Sequence, residues 1–215
     1  MALVAIDGPG GSGKSTVAAA LAKRLGWERL DTGAMYRAVA LLALRHQVGV
    51  FDGPALAGLA RAMELDVGER IVLDGEDVTT EIRSEAVDAV VSPISAHPAV
   101  RAELVARQRA WAAEHQTAVV EGRDIGSVVL PDAVLKVYLD AHPEVRAARR
   151  AGQRETALDA ALSAALARRD AADSTREHAP LHVAADALLI DSSELGVEEV
   201  VERLLAALEE RGVRP

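Results

Sequence analysis

A glycine-rich stretch close to the start of the chain limits the possible folds more than any other feature. It reads Gly8-Pro9-Gly10-Gly11-Ser12-Gly13-Lys14-Ser15 and fits GxxxxGK followed by Ser or Thr, the pattern called a P-loop. A short apolar run, residues 3–6, precedes it, and Val17, Leu21 and Leu25 follow at helical spacing. This order predicts a buried strand, a phosphate-binding loop and a helix whose positive end faces the phosphate.

The residue types of this loop agree with nucleotide binding. Glycines let backbone N–H groups turn toward a phosphate, Lys14 supplies a mobile positive charge for the β- and γ-phosphates, and the Ser15 hydroxyl can ligate Mg²⁺. A plain glycine-rich turn between strand and helix is the weaker interpretation, because every position of the pattern and both flanking segments match.

Composition excludes several classes of protein. The 215 residues suffice for one domain, and 50% of them are hydrophobic, so a core of Ala, Val and Leu can form. The net charge of −9 argues against broad nucleic-acid binding, and the absence of Cys excludes disulfides and thiol chemistry. The sequence has no basic leader and no apolar run of about 18 residues, so we expect a cytoplasmic protein without a membrane partner.

Three charged residues beyond the loop are candidates for a binding site. Arg37 falls in the first turn of a helix predicted over about 34–45, where the helix already carries positive potential, so its local sequence favours a solvated arginine. Arg123 and Asp124 follow a strand predicted over 117–120. Open α/β sheets bind ligands at the carboxyl ends of their strands, so we predict a functional role for this pair.

The residues between Arg37 and Arg123 predict a small inserted subdomain. Asp74-Gly75 stands between apolar runs and indicates a hairpin. A helix is predicted over 82–92, ended by the Ser92-Pro93 step, and a longer helix over 99–113.

An arginine-rich stretch follows the third predicted strand, residues 135–139. Seven arginines fall between Arg146 and Arg176, and the segment is predicted to be helical up to Ala167. One interpretation is an exposed helical hairpin with charge pairs four residues apart, and the other is a lid that closes arginines over phosphates. The P-loop favours the lid. A last strand, 188–190, and an amphipathic helix, 197–211, complete the predicted elements.

Together these motifs resemble those of the bacterial cytidylate kinase (CMP kinase) family over nearly the whole chain. The resemblance rests on residues 6–9 at the P-loop and on four later motifs in the family's order, namely Asp31-Thr32-Gly33-Ala34-Met35-Tyr36-Arg37, Glu121-Gly122-Arg123-Asp124-Ile125-Gly126, Arg169-Asp170 with Asp173 and Arg176 before Ala179-Pro180-Leu181, and Ala185-Asp186-Ala187. Many nucleotide-binding families share the P-loop, whereas the later motifs in this order are far more specific.

The resemblance implies an ATP-dependent (d)CMP kinase of pyrimidine nucleotide metabolism. Such an enzyme moves the γ-phosphoryl group of ATP to CMP or dCMP and uses Mg²⁺. The implied fold is α/β of the P-loop NTPase type, with three layers around a parallel central sheet. It would form one domain over 1–215, with a monophosphate-binding insert at about 50–91 and a helical lid at about 150–180. We expect a monomer.

The same resemblance implies roles for individual residues. ATP would be bound by Gly8, Pro9, Gly10, Gly11, Ser12, Gly13, Lys14, Ser15 and Thr16, with Ser15 facing the metal. CMP would be bound by Thr32, Tyr36, Arg37, Ser92, Arg101, Arg123, Asp124, Arg169, Asp173 and Arg176. Catalysis would depend on the positive charges of Lys14, Arg123, Arg169 and Arg176. No dedicated general base is required, because alignment and charge stabilisation carry phosphoryl transfer.

The same residues bear on three other functions. A regulatory GTPase needs an Asn-Lys-x-Asp element to recognise guanine. This chain contains no Asn, which argues strongly against a GTPase. A kinase for uridylate or for a non-nucleotide acceptor stays open: the Gly-Arg-Asp motif and the lid pattern favour cytidylate, but base choice depends on hydrogen bonds in the pocket. A non-catalytic ATP-binding protein needs only one phosphate site. This chain carries two sets of arginines, which argues against such a protein.

Overall fold

The structure is a computed structural model that describes residues 2–154, 160–174 and 181–213. The chain divides into two compact units. The first is built from the two ends of the chain, up to Arg29 and from His115 onward, and the second is Leu30–Glu114. The predicted insert at about 50–91 lies within the second unit.

The elements alternate between strands and helices in the first unit and are mainly helical in the second. The strands are β1 (Ala2–Asp7), β2 (Glu28–Asp31), β3 (Leu65–Val67), β4 (Ile71–Leu73), β5 (Glu76–Asp77), β6 (Thr117–Gly122), β7 (Leu135–Asp140) and β8 (Leu188–Asp191). The helices are α1 (Lys14–Leu25), α2 (Thr32–Arg45), α3 (Gly53–Ala62), α4 (Glu85–Ala96), α5 (Pro98–His115), α6 (Pro143–Arg154), α7 (Ala160–Ser174) and α8 (Val197–Glu210). A 3-10 turn covers Glu81–Arg83, and a π-helical turn covers Ile125–Val129.

A five-stranded sheet in the order β2-β6-β1-β7-β8 forms the centre of the first unit. Strand β1 pairs in parallel with both β6 and β7, so its apolar residues are buried on all sides, as the short apolar run predicted. Helices α1 and α8 pack their apolar faces on this sheet and share one core with it, which includes Val4, Leu21 and Leu204. The predicted α/β class with a parallel central sheet is confirmed.

The second unit packs helices together with a three-stranded antiparallel sheet, β3-β4-β5. Asp74 and Gly75 join β4 to β5 with φ of 49° and 83°, which is the left-handed geometry that a two-residue hairpin turn requires. The hairpin predicted from the Asp-Gly pair is therefore confirmed.

Two predicted helix ends are wrong. Helix α4 continues through Pro93 to Ala96. Pro93 costs the helix one hydrogen bond, but the packing of buried Val91 and Ile94 outweighs that loss. Helix α7 runs past Ala167 to Ser174.

The arginine-rich segment is described only in part. Arg176 lies outside the described residues, and Arg169 and Asp173 lie in α7 without a description of their side chains. That this segment closes as a lid stays a prediction. Among the helices that the structure describes, none is both long and apolar enough to cross a membrane.

Candidate active site

The P-loop has the geometry that its sequence predicts. It leaves the carboxyl end of β1 at Gly8, whose φ is 148° and where a Cβ atom would lie 2.0 Å from the carbonyl oxygen of Leu139. It enters α1 at Gly13, the N-cap, with φ of 94°. Only glycine fits both positions, because one has no space and both need positive φ. The loop thus places its backbone at the positive end of α1.

Lys14 lies folded over this loop rather than extended into solvent. Its ammonium group donates to the carbonyl oxygen of Pro9 at 2.7 Å and to Ser12 Oγ at 3.5 Å, and the residue is buried. A cation held at this place lies beside the N–H groups of the loop. It therefore adds to the positive potential of the helix end.

Helices α6 and α7 contact the loop at Gly10. Arg146 donates to the Gly10 carbonyl oxygen at 3.1 Å and forms an ion pair with Asp170, whose carboxylate accepts from the Gly10 N–H at 3.3 Å. Arg150 lies one turn after Arg146 and close to Arg123. Burial lowers the pKa of Arg150, and the nearby positive charge of Arg123 lowers it further. Two guanidinium groups held near each other favour binding of an anion.

Ser15, the predicted metal ligand, is hydrogen-bonded to a carboxylate that the sequence prediction did not include among the site residues. Its hydroxyl donates to Glu121 Oε2 at 2.7 Å, and Arg29 donates to Glu121 Oε1 at 3.1 Å. The Glu121 side chain is 3% exposed, so Arg29 supplies the charge that makes its burial tolerable. A hydroxyl next to a carboxylate is a donor set that suits Mg²⁺, which takes one or two protein oxygens and completes its shell with water and phosphate.

Loss of Arg29 should therefore destabilise the fold. We expect Arg29→Ala to lower the free energy of unfolding by about 1–3 kcal/mol, because it removes a positive charge that pairs with the buried Glu121 carboxylate. The partial exposure of Arg29 places the loss below the roughly 3–5 kcal/mol of a fully buried pair. Urea unfolding measures the change. The matched control is Arg24→Ala, which removes an exposed pair with Glu202 and should cost less than about 1 kcal/mol. Equal losses in the two variants would contradict this account.

Asp7 ends β1 with a buried carboxylate that binds the segment after β6. Its Oδ1 accepts from the Ile125 N–H at 2.7 Å and its Oδ2 from the Gly126 N–H at 2.8 Å. Burial raises the pKa of Asp7 to about 6, the two N–H bonds lower it in part, and nearby Asp124 raises it. Next to Asp7, the Gly8 carbonyl oxygen accepts from Arg123 at 2.8 Å.

The raised pKa of Asp7 predicts how stability depends on pH. The carboxyl titrates near pH 6 in the folded chain and near its ordinary value of 3.8 when unfolded, so the folded state holds more protons between these values. The free energy of unfolding of the wild type, relative to Asp7→Asn, should therefore fall as pH rises from 4 to 6, by up to about 3 kcal/mol, and be flat above. Urea unfolding of both proteins from pH 4 to 7.5 measures it; a pH-independent difference would contradict the prediction.

A cavity of about 390 Å³ lies beside the start of α1 in the first unit. Thr16 and Gly13 line it from the loop side, and Arg149 and the segment Leu195–Val197 line it from the other elements of this unit. Arg149 is fixed there by bonds to Ser192 Oγ at 2.9 Å and to the Ser192 carbonyl oxygen at 2.7 Å. The cavity is large enough for a nucleobase and is adjacent to the phosphate-binding loop.

Arg37 in the second unit is buried, not solvated as its local sequence indicated. It is 7% exposed, and its guanidinium donates to the Ile82 carbonyl oxygen at 2.9 Å and to Asp88 Oδ1 at 2.5 Å. The solvated interpretation is wrong because Asp88, 51 residues later in the sequence, provides the counter-charge in the folded unit. A buried guanidinium with a fixed orientation is suited to binding a phosphate.

The other predicted CMP-binding residues of this unit lie on the same or adjoining helices. Arg101 of α5 is buried, donates to Tyr36 Oη at 3.3 Å and stands 6.0 Å from the centre of the Tyr36 ring. Thr32 begins α2, one turn before Tyr36. Ser92 follows Asp88 by one turn on α4, so the two lie on one face of that helix.

Comparison with known proteins identifies the family. The model of the family described as cytidylate kinase matches residues 4–210. The chain belongs to the cytidylate kinase family. The resemblance inferred from the sequence is thereby confirmed.

Curated members of the cytidylate kinase family resemble this chain along almost its whole length. The cytidylate kinase of Rhodococcus opacus is 52% identical over 97% of this chain and 95% of its own, and that of Nocardia farcinica is 52% identical over 94% and 91%. The cytidylate kinase of Azotobacter vinelandii is 46% identical over 97% of this chain and 96% of its own.

Solved structures that share the fold are more distant. A gluconokinase from Sinorhizobium meliloti has a TM-score of 0.52 at 14% identity, over 97% of this chain and 92% of its own. A shikimate kinase from Acinetobacter baumannii has a TM-score of 0.51 at 15% identity, over 100% and 96%. These likenesses show the fold alone.

Sequence reasoning missed three acidic residues that hold the predicted cations and loops in place. Glu121 and Asp7 stand at the carboxyl ends of β6 and β1, and a polar residue that ends an apolar strand was a signal available in the sequence. Asp88 gave no such signal, because an acidic residue in the first turn of a helix is common, and only the fold brings it to Arg37.

Proposed function

We propose that this chain transfers the γ-phosphoryl group of ATP to CMP or dCMP, giving ADP and CDP or dCDP. The observation that carries the proposal is the family match over residues 4–210, because the predicted donor and acceptor residues all fall inside it. The buried cations of both units support it, since two phosphorylated substrates need more than one set of positive charges.

The first unit binds ATP in this proposal. Gly8 to Thr16 hold the β- and γ-phosphates with backbone N–H groups, and Lys14 stabilises charge on the transferred group. The cavity beside Thr16 and Arg149 receives the adenosine part, since its walls offer a guanidinium plane for stacking and backbone groups for hydrogen bonds.

Mg²⁺ completes the donor side. Ser15 and Glu121 would hold it, directly or through water, because their oxygens are paired at 2.7 Å. When bound, the metal neutralises negative charge on the phosphates. Arg29 keeps one oxygen of Glu121 engaged, so Glu121 presents the other to Ser15.

The acceptor monophosphate is bound by arginines. Arg37 binds the phosphate of CMP, with its orientation fixed by Asp88, and Thr32 and Tyr36 contact it from the same helix. Ser92 and Arg101 approach the cytosine and the phosphate side.

Arg123 and Asp124 carry acceptor contacts on the first unit. Arg123 binds the acceptor phosphate and Asp124 the pyrimidine or sugar. Arg169, Asp173 and Arg176 supply two further cations and a ribose contact when the segment closes. Closure would exclude water and limit wasteful hydrolysis of ATP.

No side chain has to remove a proton. The attacking group is a phosphate oxygen, which is ionised at neutral pH, so the residues above act by alignment and by charge. Arg123, Arg169 and Arg176 offset the negative charge that develops between donor and acceptor, a contribution that in related chemistry reaches about 10³–10⁵ in rate.

The direct test is a label-transfer experiment. The protein is incubated with Mg²⁺, CMP and ATP labelled in the γ-phosphate, and the products are separated by ion exchange. The proposal predicts label in CDP, with one ADP formed for each CDP. Label that appears only in inorganic phosphate would mean ATP hydrolysis without a CMP acceptor and would overturn the proposal.

Action in the cytoplasm, a monomeric state and the absence of a nucleic-acid partner stay predictions from the sequence alone. Size-exclusion chromatography with light scattering tests the second of them directly.

A further inference from the structure

Asp7 occupies a position that chain packing alone does not explain. It is the last residue of β1, is 4% exposed, and pairs in register with Gly122, the last residue of β6. Its two carboxylate oxygens each accept one backbone N–H, from Ile125 and Gly126. A buried carboxylate is costly, and an apolar side chain at a strand end would avoid that cost.

The same strand end binds the segment after β6 a second time. The Gly8 carbonyl oxygen accepts from Arg123 at 2.8 Å. Three hydrogen bonds therefore join Asp7 and Gly8 to the four residues 123–126. The donors are Arg123 itself and the two residues that follow Asp124, so the bonds hold the turn on both sides of Asp124.

We propose that Asp7 is a positioning residue for Arg123 and Asp124: its carboxylate fixes the turn that carries them, and so fixes where they meet the acceptor nucleotide. The inference rests on the proposed function, since it assigns Arg123 and Asp124 to the acceptor. It adds a residue that contacts no substrate and acts through two backbone N–H groups.

The surroundings of Asp7 favour positioning over direct chemistry. Each of its oxygens accepts a backbone N–H, so the contacts that the carboxylate makes are to the turn that carries Arg123 and Asp124. Asp124, also buried, lies close enough to raise the pKa of Asp7. Two neighbouring buried carboxylates oppose folding, and such an arrangement is typical of a site held for function.

The test compares Asp7→Asn with Asp7→Ala. Asn has the shape of Asp but places an NH₂ group against one of the two N–H donors, so one bond is lost, while Ala loses both. The matched control is Asp140→Asn, an exposed carboxylate at the end of the neighbouring β7. The readouts are KM for CMP, kcat, the Kd of ADP by calorimetry, hydrogen exchange of residues 123–126, and thermal melting by circular dichroism. CDP formation by the wild type is measured first, so a failure of the proposed function shows before any variant is compared.

We expect Asp7→Asn to raise KM for CMP by about 10-fold or more and Asp7→Ala by more than Asp7→Asn, since each hydrogen bond to a charged group has an effect of about this size. The Kd of ADP should stay within about two-fold, residues 123–126 should exchange faster, and Asp140→Asn should resemble the wild type. The proposal is overturned by an unchanged KM for CMP, by equal losses for CMP and ADP, or by failure of both variants to melt cooperatively, which would indicate a folding role alone.

Discussion

Lys14→Ala is expected to lower kcat by about 10²–10³-fold or more while the protein remains folded. The ammonium group of Lys14 lies within the P-loop, 2.7 Å from the Pro9 carbonyl oxygen, so it is held where phosphate charge develops. In a buried site a fixed cation has a larger effect than in water, since less solvent screens it. Removing it takes away an interaction that strengthens in the transition state, which reduces kcat more than it raises KM.

The measurement is steady-state turnover by coupled ADP release, with circular-dichroism melting to show that the variant folds. Lys23→Ala is the matched control, because Lys23 lies exposed on the same helix, α1, away from the loop. Its turnover should stay within about two-fold of the wild type, as expected for a surface substitution. Near-wild-type kcat for Lys14→Ala would contradict the role given to Lys14.

Arg37→Ala is expected to raise KM for CMP by about 100-fold or more, with little change in the affinity for ADP. Arg37 is placed by Asp88 and by the Ile82 carbonyl oxygen, and a guanidinium–phosphate contact involves charge-assisted bonds of about 1.5–3 kcal/mol each. Arg37→Lys should recover only part of this loss, because an ammonium lacks the planar fork.

Steady-state kinetics with varied CMP, and ADP binding by calorimetry, measure the two effects separately. Arg45→Ala is the control on the same helix, since Arg45 pairs with Glu76 and Glu81 at the surface. It should change KM for CMP by less than about two-fold. Equal effects of Arg37→Ala on CMP and ADP would show a general loss of structure instead of a lost acceptor contact.

Patterns within short stretches correctly predicted the P-loop with its flanking elements and one hairpin. The P-loop, its flanking strand and its helix need only neighbouring residues, and the same is true of the Asp74-Gly75 hairpin. The apolar run of β1 predicted a buried parallel strand, which its pairing with β6 and β7 and the burial of residues 3–6 confirm. Such features are encoded by spacing and by residue type, so one sequence suffices.

Features that depend on distant residues could not be predicted from local sequence. Pro93 stands inside α4 because packing outweighs the loss of one helical bond. Arg37 is buried because Asp88 lies opposite it in the folded unit, and no pattern near Arg37 indicates this. The family resemblance named Arg37 as a site residue, while its partner Asp88 became visible only in the structure.

A panel of nucleoside monophosphates tests whether CMP is the phosphoryl acceptor. Initial rates of ADP release with CMP, dCMP, UMP, AMP and GMP, each over a range of concentrations with saturating MgATP, give kcat/KM for every acceptor. We expect CMP and dCMP to exceed UMP, AMP and GMP by at least about 100-fold, as expected where buried polar groups select a base. Equal values for all five, or a preference for UMP, AMP or GMP, would contradict the cytidylate assignment.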